Sequence, residues 1–280
     1  MPYRLKKIDE DSYILVVGCG GTGGFVAEGL CRLLIGTKYK LGLVDHDRVE
    51  GHNLGRQNFH RGDLGRFKAQ VLSERLATIY RRKIDYTVNP IEQLALNDRG
   101  NLTIGCVDNP QARERLRWAG SSMMGGRFSY CKYNNQSWYI DAGNGEHSGQ
   151  VLIGNALLKE CMYGFKNEVC DKLPLPQIQQ PALLAPAPKE QRPRRDCAER
   201  VAADEQSPVI NQAMAALVLQ FVHLLLKGEL TWMGAYMDLQ AGTMSTVPAD
   251  PETVSRMTGL SVRQLVYHPR PQKQRVQVRV

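Results

Sequence analysis

The segment Gly18-Cys19-Gly20-Gly21-Thr22-Gly23-Gly24 follows the apolar run 13–17. Its G-x-G-x-x-G spacing, with strand before and helix after, puts backbone N–H groups where an anion can approach closely. Gly18, Gly20, Gly21 and Gly23 are therefore candidates to cradle phosphates, although a tight turn in a dinucleotide site has the same pattern. Asp45 follows the next apolar run, 39–44, where a carboxylate can accept from both hydroxyls of a ribose or, more simply, cap its own loop. Asp108 ends a third run, 102–107. Magnesium favours a few carboxylate oxygens together with phosphate and water, so Asp108 is a candidate Mg²⁺ ligand; it is equally placed to N-cap a helix after Pro110.

These residues share one edge only if the runs form a parallel sheet. Apolar runs at 13–17, 39–44, 84–88 and 102–107 alternate with helical periodicity. Phe25, Val26, Leu30, Leu33 and Leu34 mark the first helix. Leu64, Phe67, Val71, Leu72, Leu76 and Ile79 mark the second, with Asp63 as its N-cap and Lys68 off the apolar stripe, free to face a ligand. The fold expected is α/β, Rossmann-like and doubly wound, with a mostly parallel sheet whose carboxyl edge binds the ligand. Shorter runs at 127–133, 137–142 and 150–153 predict a mixed or antiparallel extension. Residues 172–195 are proline-rich and predict a mobile crossover loop. A helix to about Lys227 follows, capped by Ser207 with Pro208 in its first turn.

A chain of 280 residues can bury a substantial core. No uninterrupted apolar run approaches membrane-spanning length, which predicts neither a signal peptide nor a membrane span and places the protein in the cytoplasm. The seven cysteines contain no C-x-x-C pair, which argues against a disulfide framework and a zinc ribbon; zinc is not expected. Cys19 sits inside the glycine turn, while Cys31, Cys106 and Cys131 fall on apolar faces and read as core. Much of the net charge of +8 lies beyond Glu252, in Arg256, Arg263, Arg270, Lys273, Arg275 and Arg279. Such a tail reads as a solvated or strand-forming terminus, or as a contact for an acidic partner or nucleic acid.

After the glycine turn come Asp45-x-Asp47, then Asn53-Leu-Gly-Arg56-Gln57, Lys68, and Asp108-Asn109 with Arg113 behind. In that order, over residues 12–228, they resemble the ubiquitin-activating superfamily of ThiF and MoeB, whose motifs read G-x-G-G-x-G, D-x-D, N-L-x-R-Q, K and D-N-x-x-x-R. The resemblance implies ATP- and Mg²⁺-dependent adenylation of the C-terminal glycine of a small ubiquitin-like β-grasp protein. It assigns nucleotide contacts to Gly18, Gly20, Gly21, Gly23, Asp45, Asp47, Asn53, Arg56, Gln57, Lys68 and Asp108, and catalytic roles to Arg56, Lys68 and Asp108. Arg113 is secondary. Cys197 matches the catalytic cysteine that takes the acyl group as a thioester, with Arg194, Arg195 and Arg200 favouring its thiolate; Cys161 and Cys170 are next in line. The family's adenylating subunits pair, so a homodimer is implied.

On this reading residues 1–160 form the ATP-binding adenylation region, 161–200 a mobile crossover loop, 201–250 the last helix and strands of the same domain, and 251–280 a basic tail. The proline-rich loop, the short N-terminus, Cys197-Ala-Glu-Arg200 and the Gln206-Ser-Pro-Val-Ile-Asn211 helix are most similar to the ThiF-type proteins of PRTRC gene clusters. The chain departs from ThiF and MoeB in lacking two C-x-x-C zinc pairs and a long N-terminal arm, for whose arginine Arg4 is the candidate. Two other readings stay open: an NAD(P)-binding oxidoreductase, which would share the glycine turn and Asp45, and a non-catalytic adaptor for a ubiquitin-like protein.

Overall fold

A computed structural model of the chain describes residues 2–93, 102–116, 137–185 and 208–268. A short first strand, β1 (Arg4–Leu5), precedes β2 (Tyr13–Val17), α1 (Gly21–Leu33), β3 (Lys40–Val44), α2 (Lys68–Tyr80), β4 (Ile84–Thr87), β5 (Leu102–Gly105) and α3 (Pro110–Leu116). Then come β6 (Trp138–Asn144), β7 (Ser148–Gly154), β8 (Phe165–Lys166), β9 (Val169–Cys170) and α4 (Pro176–Gln179). The chain continues as α5 (Pro208–Lys227), β10 (Trp232–Asp238), β11 (Thr243–Pro248), α6 (Pro251–Thr258) and α7 (Val262–Leu265).

The main sheet runs β11-β10-β7-β6-β5-β2-β3-β4. Strands β6, β5, β2, β3 and β4 are parallel, and β7, β10 and β11 extend them antiparallel. This is the mostly parallel α/β sheet with an antiparallel extension that the apolar runs predict. From β2 the chain winds outward through β3 to β4, then returns to the other side of β2 as β5. The strand order therefore reverses between β2 and β5, where open α/β sheets bind ligands.

One face of the sheet carries the main core, with Val26, Leu30, Leu72 and Leu76 from α1 and α2 packed with Met214, Val218, Phe221 and Leu225 from α5. The other face holds Val17, Val44, Ala112, Leu116, Tyr139 and Leu175 beneath α3 and α4. Strands buried on both faces explain why the parallel runs are nearly continuously apolar.

Several expectations are corrected. The second helix starts at Lys68, not near Asp63, whose carboxylate instead accepts from the His60 N–H and pairs with Arg75. Leu64 and Ile79 are 47% and 61% exposed, so neither belongs to its buried stripe. The helix α5 is long and apolar enough to cross a membrane by length and composition, although Asn211, Gln212, Gln220 and His223 interrupt its apolar run. Its inner face here packs on α1, β6 and β7, as a core helix does. The proline-rich stretch is packed further than its composition predicts: Leu173, Leu175 and Leu183 are buried, and Pro176 and Pro181 open short helical turns. The run 127–133, the Ser207 cap, Cys131, and the segment holding Arg194, Arg195, Cys197 and Arg200 lie outside the described residues, as does the tail beyond residue 268.

Candidate active site

A cleft of about 590 Å³ opens at the carboxyl edge of the sheet, over the point where the strand order reverses. Gly18, Gly20, Gly21, Asp45, Asp47, Asn53, Arg56, Gln57, Lys68, Asp108 and Arg113 all line it.

The glycine turn divides its work. Gly18 has φ +86°, a left-handed conformation, and an added Cβ would sit 2.5 Å from the Cys106 carbonyl oxygen. Gly20 stands at the N-cap of α1 and offers no side chain to cap the first-turn N–H groups. A Cβ on Gly21 would occupy the space of the Asn211 amide. Gly23 does not line the cleft: its Cβ would fall on the Gly18 carbonyl oxygen and within 3.2 Å of the Cys106 Cβ. This gives Gly23 a packing role, the close approach of helix to strand. Gly23→Ala should destabilise the fold by about 1–3 kcal/mol through overpacking, read from chemical denaturation. Gly62→Ala, whose Cβ meets nothing within 4 Å, is the control and should leave stability unchanged.

Asp45, at the end of β3, accepts from the Cys19 N–H (2.6 Å) and the Asp47 N–H (2.8 Å). It thus does what the simpler reading asked, holding its loop to the glycine turn, while still facing the cleft. Burial pushes its carboxyl above the usual range, against the two N–H groups and nearby Lys68. Lys68 is buried at the first position of α2 and pairs with Asp47 through Nζ at 3.1 Å. Asn53 closes the 3₁₀ turn Gly51–Asn53 by accepting from the Glu50 N–H at 2.9 Å. That turn lays Arg56 and buried Gln57 along the cleft, and the Gln57 Oε1 has no hydrogen-bond partner among the described residues.

The cap of α3 falls to Asn109, whose Oδ1 accepts from the Ala112 N–H at 2.7 Å. Asp108, exposed one residue earlier, is thereby released from the capping role weighed for it and faces the cleft. Asp45, His46 and Asp47 also stand close enough together to hold a metal ion. In that cluster Asp45 already holds two N–H groups and Asp47 the Lys68 ammonium.

Residues not singled out in advance complete the walls. Thr22, Asn144 and Asn211 form a polar cluster: the Thr22 hydroxyl lies 3.2 Å from the Asn144 Oδ1, and the Asn144 Nδ2 donates to the Asn211 Oδ1 at 3.2 Å. The Asn211 Nδ2 donates in turn to the Arg56 carbonyl at 3.2 Å. Arg113, the secondary candidate, pairs with fully buried Asp141, Nε to Oδ2 at 3.3 Å. The Tyr139 hydroxyl donates to the same Oδ2 at 2.6 Å. An acid inside the apolar run Trp138–Ala142 was the available signal.

Cys161 and Cys170 are both buried. Burial pushes the Cys161 thiol up to about 12 and the Cys170 thiol well above its ordinary value, which disfavours the thiolate at both. Arg4 is held in a small sheet of order β1-β9-β8 and does not line the cleft.

The fold and cleft define an α/β protein with an anion-receptive helix terminus and a polar pocket at its sheet edge. Residues 4–249 match the ThiF family, and the chain belongs to that family. It is 32% identical over 158 residues to the tRNA threonylcarbamoyladenosine dehydratase of Haemophilus influenzae, covering 54% of this chain and 55% of that protein. It is 38% identical over 101 residues to the adenylyltransferase and sulfurtransferase uba4 of Neosartorya fischeri, covering 36% and 19%. Against the ubiquitin-like modifier-activating enzyme 5 of Caenorhabditis elegans it is 30% identical over 150 residues, covering 48% and 32%. The chain thus spans about half the length of the first of these relatives and less of the others. In fold it is similar to the crystal structure of E. coli MccB, with a TM-score of 0.57 at 18% identity, covering 85% of this chain and 62% of that one.

Proposed function

We propose that the chain uses ATP to adenylate a carboxylate, the C-terminal glycine of a small ubiquitin-like β-grasp protein. The observation that carries this reading is the gathering of the glycine turn, Asp45, Arg56, Lys68 and Asp108 in one cleft. Its volume suits a nucleotide. A dinucleotide oxidoreductase would have no use for that many charged groups around a polyphosphate.

In this reaction a carboxylate oxygen attacks the α-phosphorus, the bond to pyrophosphate breaks, and the acyl adenylate remains. Asp45 would receive the ribose hydroxyls. The uncapped N–H groups of α1 would receive phosphate oxygens. Lys68, held now by Asp47, needs only to exchange one anionic partner for another, and with Arg56 it would offset charge developing on the α-phosphate and leaving group. Asp108 is the residue that would hold a magnesium ion, which would supply positive charge to offset that of the phosphates. Transfer of the acyl group to Cys197 belongs to the same reading as a later step.

ATP with Mg²⁺ should raise the melting temperature, since a ligand of the native state stabilises it. A shift with NAD and none with ATP and Mg²⁺ would defeat the proposal. The homodimer belongs with it, and sedimentation showing only monomer at tens of micromolar would remove that part.

The similarity to a tRNA-modifying dehydratase favours a second reading, in which the carboxylate acted on belongs to a tRNA nucleoside. The basic charge balance fits such a substrate. Pyrophosphate release stimulated by tRNA and not by a glycine-ended β-grasp protein would select it. The PRTRC reading, in contrast, names as substrate the ubiquitin-like protein of the same gene cluster.

A further inference from the structure

Asp141 sits within β6, fully buried, and its Oδ1 has no hydrogen-bond partner among the described residues. Its Oδ2 is shared by the Tyr139 hydroxyl and the Arg113 guanidinium. The Arg113 Nε is buried against this acid, yet the side chain keeps 12% exposure where it lines the cleft. Its Nη2 lies beside Gly143, where an added Cβ would come within 2.9 Å. One edge of the guanidinium is thus sealed against Asp141, the Nη2 packs over Gly143 next to the Gln150 Nε2, and the residue lines the cleft. The backbone below is also fixed: the Arg113 N–H donates to the Asn109 carbonyl at 3.3 Å, and the Gln177 Nε2 donates to the Arg113 carbonyl at 2.9 Å.

The placement is informative. Asp45 and Asp47 follow β3 on one flank, the glycine turn and Asp108 follow β2 and β5 in the middle, and Arg113 stands on the β6 flank with Gly143 and Asn144. A guanidinium anchored by one edge offers paired N–H donors that match two oxygens of one carboxylate or phosphate.

We propose that Asp141 and Tyr139 are positioning residues that hold Arg113 as an oxyanion-binding group on the β6 flank of the cleft. The source of the oxyanion rests on the adenylation reading: either the β- and γ-phosphates of the nucleotide or the incoming carboxylate presents the required pair of anionic oxygens. An ion pair that only supports the fold would be indifferent to both.

Phenylglyoxal labels arginine, and peptide mass mapping of the full chain locates the adducts. Labelling is compared without anion, with inorganic pyrophosphate and with glycylglycine. Adduct formation at Arg113 should fall by about tenfold with one of the two anions, the worth of a charge-assisted hydrogen bond. Protection by pyrophosphate assigns the phosphate source, and protection by glycylglycine the carboxylate. Arg113 labelled equally, or never labelled, under all three conditions overturns the proposal. Tyr139→Phe and Asp141→Asn should abolish the protection; should Asp141→Asn fail to fold, Tyr139→Phe decides, and full protection in it refutes the positioning role. The thermal shift of the unaltered protein with ATP and Mg²⁺ tests the nucleotide reading separately, so the two failures are distinguishable.

Discussion

Asp108→Asn is expected to reduce ATP–pyrophosphate exchange by roughly 10²- to 10³-fold, the loss typical when one preorganised electrostatic contact to a transition state is removed. The substitution keeps the side-chain shape and removes the charge a divalent cation needs. Because Asn109 and not Asp108 caps α3, the helix keeps its cap and the melting temperature should not move. That separation makes the test clean: a lost activity with an unchanged fold points to chemistry. Cys197→Ala should leave exchange intact and remove only a reductant-sensitive covalent complex with the acyl substrate. Exchange undiminished in Asp108→Asn would end the metal assignment.

Arg113→Leu should lower the unfolding free energy by about 3–5 kcal/mol, because it leaves the Asp141 carboxylate buried and uncompensated. The sign with pH follows. Burial already pushes the Asp141 carboxyl up, with Arg113 and the Tyr139 hydroxyl opposing it, so removing Arg113 raises it further. A carboxyl whose folded pKa is raised costs stability as pH rises through that value. The deficit should therefore be small in acid, where Asp141 is protonated in both states, and grow toward neutral pH. Replacing Asp141 with leucine as well should recover much of the loss, since the apolar pair strands no charge. A deficit that is flat with pH would mean Asp141 is not the group left unpaired.

The sheet and much of its cleft were legible because both follow from local pattern. A parallel strand delivers its last residue to the carboxyl edge, so Asp45 and Asp108 could be placed from the apolar runs 39–44 and 102–107. The start of α2 was not legible, because a helical stripe extended back through Leu64 cannot distinguish a 3₁₀ turn from a first helical turn. Asp108 and Asn109 are both good caps, and only coordinates show which carbonyl-bearing side chain meets the Ala112 N–H. Asp141 and Asn211 escaped for another reason. Each is a polar residue whose partners lie far along the chain, Arg113 for one and Thr22, Arg56 and Asn144 for the other, and no periodicity connects such distances.

The position of Asn211 orders the assembly of the molecule in time. Every residue to which the family resemblance assigns a nucleotide contact lies at or before Asp108, so a chain emerging from the ribosome carries that set long before α5 exists. Yet the glycine turn and the Arg56 segment are joined by an amide 155 and 189 residues away from its partners Arg56 and Thr22. Loops of that length close late. The pocket is thus completed from the far end of the chain, and the nascent protein should hold nucleotide only after α5 has docked against α1.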